Sequence, residues 1–267
     1  MTTDRTEQYR AFSAMRGLPG RAVIMPRVEA LIDKLAGDLL VRATERIAAA
    51  SVFHLALSGG STPRRLYQAL VIDPQWRNFP WPDTHVWIVD ERCVSFDDDR
   101  SNFHLIKQLL LDHVSIPPSR VHAMPVTQPG GDHAYEADLR NTLPVENEHQ
   151  RLDFALLGMG DDGHTASLFP HSHAQDQPDR LVVFNSGDTV AEPRPRMTMT
   201  YPLLNAARNI ALLVTGSAKH AMLQHVALLG DDQDAYHRLP VTGIRPSFDD
   251  ADLTWYLDYP AALGDAG

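Results

Sequence analysis

His164 sits in a run that concentrates the means of moving a proton: Leu156-Leu157-Gly158-Met159-Gly160-Asp161-Asp162-Gly163-His164-Thr165-Ala166-Ser167. An unperturbed imidazole titrates near neutrality, so it can act as a general base at physiological pH. A neighbouring carboxylate can orient it, and glycine-rich backbone offers N–H groups to a developing oxyanion. Asp162 and the more distant Asp90 are both candidates for the orienting carboxylate, and the sequence does not choose between them. The apolar residues before this run, Phe154 to Leu157, read as a buried strand. The histidine therefore belongs at a strand end, where open α/β sheets place their ligands.

Gly158, Gly160 and Gly163 also satisfy the G-x-G-x-x-G dinucleotide pattern, and Asp188 can imitate its ribose-binding acid. Two features oppose that reading. Asp161 and Asp162 would repel a pyrophosphate, and Pro170 interrupts the helix that such a turn must feed.

A second small-residue turn, Ser58-Gly59-Gly60-Ser61-Thr62, follows the apolar run Phe53 to Leu57. Thr62 is placed to cap a helix with Pro63 at its first position. Hydroxyls and free backbone N–H groups at a helix start suit a phosphate, and a plain tight turn has the same composition. The Gly-Lys-Ser/Thr of a nucleoside-triphosphate loop is missing. Arg196, or Lys219 after Val214-Thr215-Gly216-Ser217-Ala218, can supply charge to a phosphate. His171-Ser172-His173 has no matching cysteine or carboxylate cluster and reads as an exposed loop rather than a metal site. Cys93 reads as an inert thiol. No Gly-x-Ser-x-Gly elbow is present, which opposes a serine acyl-enzyme route.

The elements that must position these residues alternate. Helical periodicity runs over Pro26 to Ala50, past Pro63, and over Ser101 to His113, Asp132 to Leu143 and Ser217 to Leu229. Strands are expected at Phe53 to Leu57, Val86 to Val89, Leu152 to Leu157, Ile210 to Thr215 and Leu253 to Leu257. Asp176 to Pro195 reads as a long loop around a short strand, and Gln175 to Pro195 as the segment best suited to close over a ligand. The pattern implies one α/β domain over residues 1–267, with a mostly parallel sheet covered by helices on both faces. Three segments then fall at strand carboxyl ends: Ser58 to Thr62, Asp90 to Arg92, and Gly158 to His164.

Composition bounds the partners. A formal net charge of −10 disfavours nucleic acid and anionic membrane. Met1 to Gly20 lacks the apolar stretch of a signal peptide, and no segment has the length of a membrane span. A single cysteine excludes an internal disulfide, and a cytoplasmic location is expected.

Together these segments resemble the 6-phosphogluconolactonase family, within the glucosamine-6-phosphate isomerase/6-phosphogluconolactonase group. The resemblance rests on Leu57 to Pro63, Asp90-Glu91-Arg92 with Ser101-Asn102, and Gly158 to Pro170. It continues through Arg196 to Thr200, Leu204 to Arg208, Leu213 to Gly216 with Lys219, and Leu253 to Asp258. It implies a three-layer Rossmann-like fold and hydrolysis of 6-phospho-D-glucono-1,5-lactone to 6-phospho-D-gluconate in the oxidative pentose phosphate pathway. No metal or organic cofactor is implied, and the expected assembly is a monomer or small homo-oligomer. By the same resemblance His164 would activate water, while Ser58 to Thr62, Arg196 and Lys219 would hold the phosphate and Arg92 would line the site. The related isomerase/deaminases carry a ring-opening glutamate where this chain has Phe169, and Asp-Glu-Tyr where it has Asp90-Glu91-Arg92. Both departures favour the lactonase. A non-catalytic sugar-phosphate sensor is a further alternative, opposed by the retention of His164 and Asp162. Within the lactonase pattern, Asp161 stands where proline is frequent, and Glu192-Pro193-Arg194-Pro195 replaces the usual Lys-Pro-Pro run.

Overall fold

Phe53–Leu57 and Phe154–Leu157 are buried along their whole length, the condition of strands in a parallel sheet flanked by helices. The computed structural model describes residues 11–13, 15–185, 195–229, 232 and 234–265. In chain order its strands begin with β1 (Arg21–Met25), β2 (Phe53–Leu57), β3 (Thr84–Ile88) and β4 (Asp90–Arg92). They continue with β5 (Val121–His122), β6 (Val145–Glu146), β7 (His149–Gln150) and β8 (Phe154–Leu157). The last are β9 (Val182–Asn185), β10 (Arg196–Met199), β11 (Asn209–Val214) and β12 (Asp252–Asp258). The helices are α1 (Val28–Ala50), α2 (Arg64–Ile72), α3 (Asn102–Leu109), α4 (Gly131–Thr142), α5 (Tyr201–Leu204), α6 (His220–Leu228) and α7 (Tyr259–Leu263).

Seven strands form one sheet in the order β1-β12-β11-β8-β2-β3-β5, every neighbouring pair parallel. With its helices this sheet makes a three-layer α/β fold. Helix α1 shows how the layers bind: Leu31, Ile32, Leu35, Ala36, Leu39 and Ala43 recur at helical spacing and are all buried. Among the described residues, no helix is long and apolar enough to cross a membrane.

Three departures from the sequence reading bear on the site. Asp90–Arg92, expected as the carboxyl end of the preceding strand, is a strand of its own. The chain leaves the main sheet at Val89, and β4 pairs with β10 in an antiparallel sheet of order β4-β10-β9. Arg196, to which the sequence reading assigned no element, is thereby held in β10 opposite Arg92. Thr62 does not cap α2, because Pro63 already has helical backbone angles and takes the capping position itself. The Ser101 to His113 helix is split, because Leu110 leaves helical geometry (φ −134°, ψ −64°) and a single 3₁₀ turn follows.

Candidate active site

The chain runs from β2 to β3 and β5 on one side, then returns to β8, β11 and β12 on the other. The winding direction reverses between β2 and β8, and the crevice at their carboxyl ends is where doubly wound sheets bind ligands. Ser58–Thr62 leaves β2 and Gly158–His164 leaves β8 at that crevice. A cavity of about 300 Å³ opens there. Its wall includes Ser58, Gly59, Gly60, Ser61, Thr62, Asp90, Arg92, His164, Arg196 and Lys219. Of the candidate catalytic and substrate-binding residues, Asp162 alone is not part of that wall. A larger cavity of about 390 Å³ lies at the opposite strand ends. Its charged residues neutralise one another, as Arg42 and Asp252 do at 2.8 Å, and it contains no histidine.

The turn after β8 holds His164 by its backbone. The Gly160 N–H donates to the His164 carbonyl at 2.8 Å, and Gly163 closes the turn at φ +78°, a left-handed conformation suited to glycine. A side chain at position 160 would put its Cβ 2.1 Å from His164 Nδ1, so only glycine lets the imidazole fold over this turn. His164 Nδ1 lies 2.5 Å from Asp162 Oδ1, and the same oxygen accepts the His164 backbone N–H at 3.1 Å. Burial alone would raise the Asp162 carboxyl. The hydrogen bond and charge of His164 outweigh it and hold the group below the usual carboxylate range. An imidazole that donates from Nδ1 to a carboxylate keeps a lone pair on Nε2, the arrangement of an oriented base. Phe169 backs the ring, with centroids 4.7 Å apart.

Asp90 does not reach His164. Its Oδ2 accepts from Ser167 Oγ at 2.6 Å, while the Ser167 N–H donates to Thr198 Oγ1 at 3.1 Å. Geometry thus gives the orienting position to Asp162 and ties Asp90 to the cavity wall. The preceding residue, Ala166, holds φ +51°.

The opposite wall depends on Glu91 and Asn102, to which the sequence reading gave no role. Glu91 is wholly buried. Its carboxylate accepts the N–H groups of Arg92, Asn102 and Phe103 at 2.7–2.8 Å and the Ser101 hydroxyl at 2.9 Å. Burial pushes this carboxyl up, and those bonds oppose the rise. It thereby fixes the start of α3, where Asn102 Nδ2 donates to the Asp90 carbonyl at 2.7 Å and Asn102 Oδ1 accepts Arg92 Nη1 at 2.6 Å. A Cβ on Gly59 would fall 1.9 Å from Asn102 Oδ1, so the glycine is needed for this close approach. A buried acid beside a basic residue and a Ser-Asn pair ten residues on were the available signals.

Arg92 and Arg196 face each other across β4 and β10. Burial lowers the Arg196 pKa, Asp90 opposes that, and Arg92 adds to it. Adjacent guanidinium groups repel, and an anion between them relieves the repulsion. Lys219 reaches the same cavity and pairs with Asp161, the residue that stands in place of the frequent proline. The Ser58 hydroxyl is buried in the cavity wall and has no hydrogen-bond partner among the described residues, so it is a donor open to a ligand. Burial, aided by Glu91, pushes the Cys93 thiol up to about 11, in keeping with an inert role. His173 is exposed and bonds the Phe184 carbonyl at 2.9 Å. Asp188 and the Glu192–Arg194 stretch lie outside the described residues.

A family profile described as glucosamine-6-phosphate isomerases/6-phosphogluconolactonase matches residues 26–255. The chain is 39% identical over 246 residues to a 6-phosphogluconolactonase of Synechocystis, covering 88% of this chain and 97% of that protein. It is 38% identical over 242 residues to the GDH/6PGL endoplasmic bifunctional protein of Oryctolagus cuniculus, with 88% of this chain aligned. It spans only 29% of the length of that relative. The crystal structure of a 6-phosphogluconolactonase from Thermotoga maritima superposes with a TM-score of 0.75 at 27% identity, over 89% of this chain and 99% of that one.

Proposed function

The chain belongs to the glucosamine-6-phosphate isomerase/6-phosphogluconolactonase family, and from that premise we propose that it hydrolyses 6-phospho-D-glucono-1,5-lactone to 6-phospho-D-gluconate. The observation that carries the proposal is the oriented His164–Asp162 pair, beside a cavity that also gathers Arg92, Arg196 and Lys219. A base and several cations around one cavity suit a substrate that carries both an electrophilic carbon and a phosphate.

The chemistry follows from the geometry. A δ-lactone is an activated ester, so one positioned water and one base suffice. His164 Nε2 takes a proton from water as its oxygen attacks C1. Asp162, already ionised, stabilises the imidazolium that forms. The tetrahedral intermediate collapses, the C1–ring oxygen bond breaks, and His164 returns the proton to the departing ring oxygen. Acid–base assistance of this kind contributes roughly 10²–10⁴-fold. The Ser58–Thr62 turn, Arg92, Arg196 and Lys219 hold the phosphate, and this remote binding fixes C1 against the water. Asp90, anchored by Ser167, borders the sugar rather than the imidazole. We assign the reaction to a single lactonase domain in the cytoplasm, feeding the oxidative pentose phosphate pathway.

Phe169 separates this reading from ring-opening deamination, because its ring against His164 has no proton to exchange. The test pairs two substrates. The folded protein should accelerate loss of 6-phosphogluconolactone well above its spontaneous hydrolysis and release no ammonia from glucosamine 6-phosphate. Ammonia release without lactone hydrolysis would overturn the proposal.

A further inference from the structure

The substrate cavity does not end at Arg92. A second cavity of about 320 Å³ adjoins it, sharing Gly60, Ser61 and Arg92 and continuing to Arg64, Arg100 and Ser101. Three guanidinium groups and a single carboxylate, Asp99, line this lobe, in a chain whose formal net charge is −10. Their contacts leave much of the positive charge uncancelled. Arg100 is held by Asp98 at 2.6 Å. Arg92 donates to the Arg100 carbonyl and to Asn102 Oδ1, both neutral acceptors. Arg64 is exposed and, among the described residues, has no side-chain hydrogen bond or ion pair. Asp99 is fully exposed and lies 4.0 Å from His104 Nε2. Arg64 also opens α2, where the peptide dipoles favour an anion and oppose a cation. A bound anion would turn that unfavourable placement into a favourable one.

We propose that this lobe binds a second phosphoryl group, so that a diphosphate spans both cavities. One phosphate occupies the Gly60-Ser61-Thr62 turn, and the other lies between Arg64 and Arg92. The inference rests on reading that turn as the phosphate cradle. Guanidinium forks match phosphoryl oxygens bidentately, and the shared wall requires the two anions to be close neighbours. The ligand class is therefore a diphosphate, either free pyrophosphate or that of a nucleotide. Such a ligand excludes the sugar phosphate from the cradle and inhibits the enzyme competitively.

Calorimetric titration of the full chain tests this with four probes: inorganic phosphate, pyrophosphate, ADP and 6-phosphogluconate. The wild type should bind pyrophosphate more tightly than phosphate. Arg64→Ala should weaken pyrophosphate by about tenfold or more, the value of one charge-assisted contact, and leave 6-phosphogluconate unchanged. ADP binding tighter than pyrophosphate would identify the nucleotide as the source, and weaker binding the free ion. Equal affinities for phosphate and pyrophosphate, or a pyrophosphate affinity indifferent to Arg64, would overturn the proposal. If 6-phosphogluconate binds and the lobe fails, the lactonase reading stands. If pyrophosphate binds through Arg64 while 6-phosphogluconate does not bind, the lobe stands and the lactonase reading falls.

Discussion

Replacing Asp162 by asparagine separates the orientation of His164 from its presence. In the native protein one carboxylate oxygen accepts both the imidazole Nδ1–H, at 2.5 Å, and the His164 backbone N–H, at 3.1 Å. The asparagine carbonyl can still accept the backbone N–H, so the turn should persist. Its amide can instead donate to Nδ1, which would leave the proton on Nε2 and remove the base. The charge that stabilises the imidazolium is lost as well. A charge-assisted hydrogen bond is worth about 1.5–3 kcal/mol, so kcat should fall roughly 10- to 150-fold. Because Asp162 does not line the cavity, KM should move little. The assay generates the lactone in situ, subtracts spontaneous hydrolysis, and fits kcat and KM separately across pH. A kcat within twofold of wild type would refute the claim that Asp162 orients the base.

Gly160→Ala places a Cβ where the imidazole lies, 2.1 Å from Nδ1, so activity should drop by about 10² while the thermal midpoint changes little. Wild-type turnover in that variant would show that the ring is not held over the turn. Lys219→Ala should raise KM about tenfold and leave kcat within a few-fold, measured by initial rates over substrate concentration; an unchanged KM would remove Lys219 from the phosphate site. Acid should destabilise the fold through His54. Burial, helped by His85 and His122, lowers its pKa from 6.5 to about 3. Burial, with His122 next, lowers that of His85 to about 4. The unfolded chain then binds these protons first, so stability falls as pH drops below 6.5. The slope approaches about 1.4 kcal/mol per pH unit for the His54 proton. Urea midpoints at pH 7, 6 and 5 should fall more steeply for the wild type than for His54→Gln, and parallel curves would contradict this.

The parts of the fold that the sequence made legible are those where hydrophobicity and secondary structure share a cause. Phe53–Leu57 is an uninterrupted apolar run because both faces of β2 are covered, and its observed bounds match the expected ones. Leu31, Leu35 and Leu39 marked α1 because one helix face is buried. Elements whose residues serve the site broke that link. Asp90-Glu91-Arg92 is polar and gave no strand signal of its own, yet it pairs with β10 and turns its charges toward the cavity and the start of α3. Strand β1 is an edge strand of five residues whose pairing with β12, more than 200 positions away, no local pattern reveals. The same holds within the site. The small-residue turns and His164 were visible from composition. The choice of Asp162 over Asp90 required the backbone path, because Asp90 is taken by Ser167, 77 residues on. Glu91 was invisible as an organiser because its partners lie mostly ten to twelve residues downstream, and the Lys219–Asp161 pair spans 58 positions.

The central claim is that His164 is the base for lactone hydrolysis. Its most direct test compares wild type with His164→Ala in the in-situ lactone assay at neutral pH, circular dichroism establishing that both are folded. The account predicts rapid hydrolysis by the wild type and a rate near the spontaneous background for the variant. A folded variant that hydrolyses the lactone as fast as the wild type would contradict it.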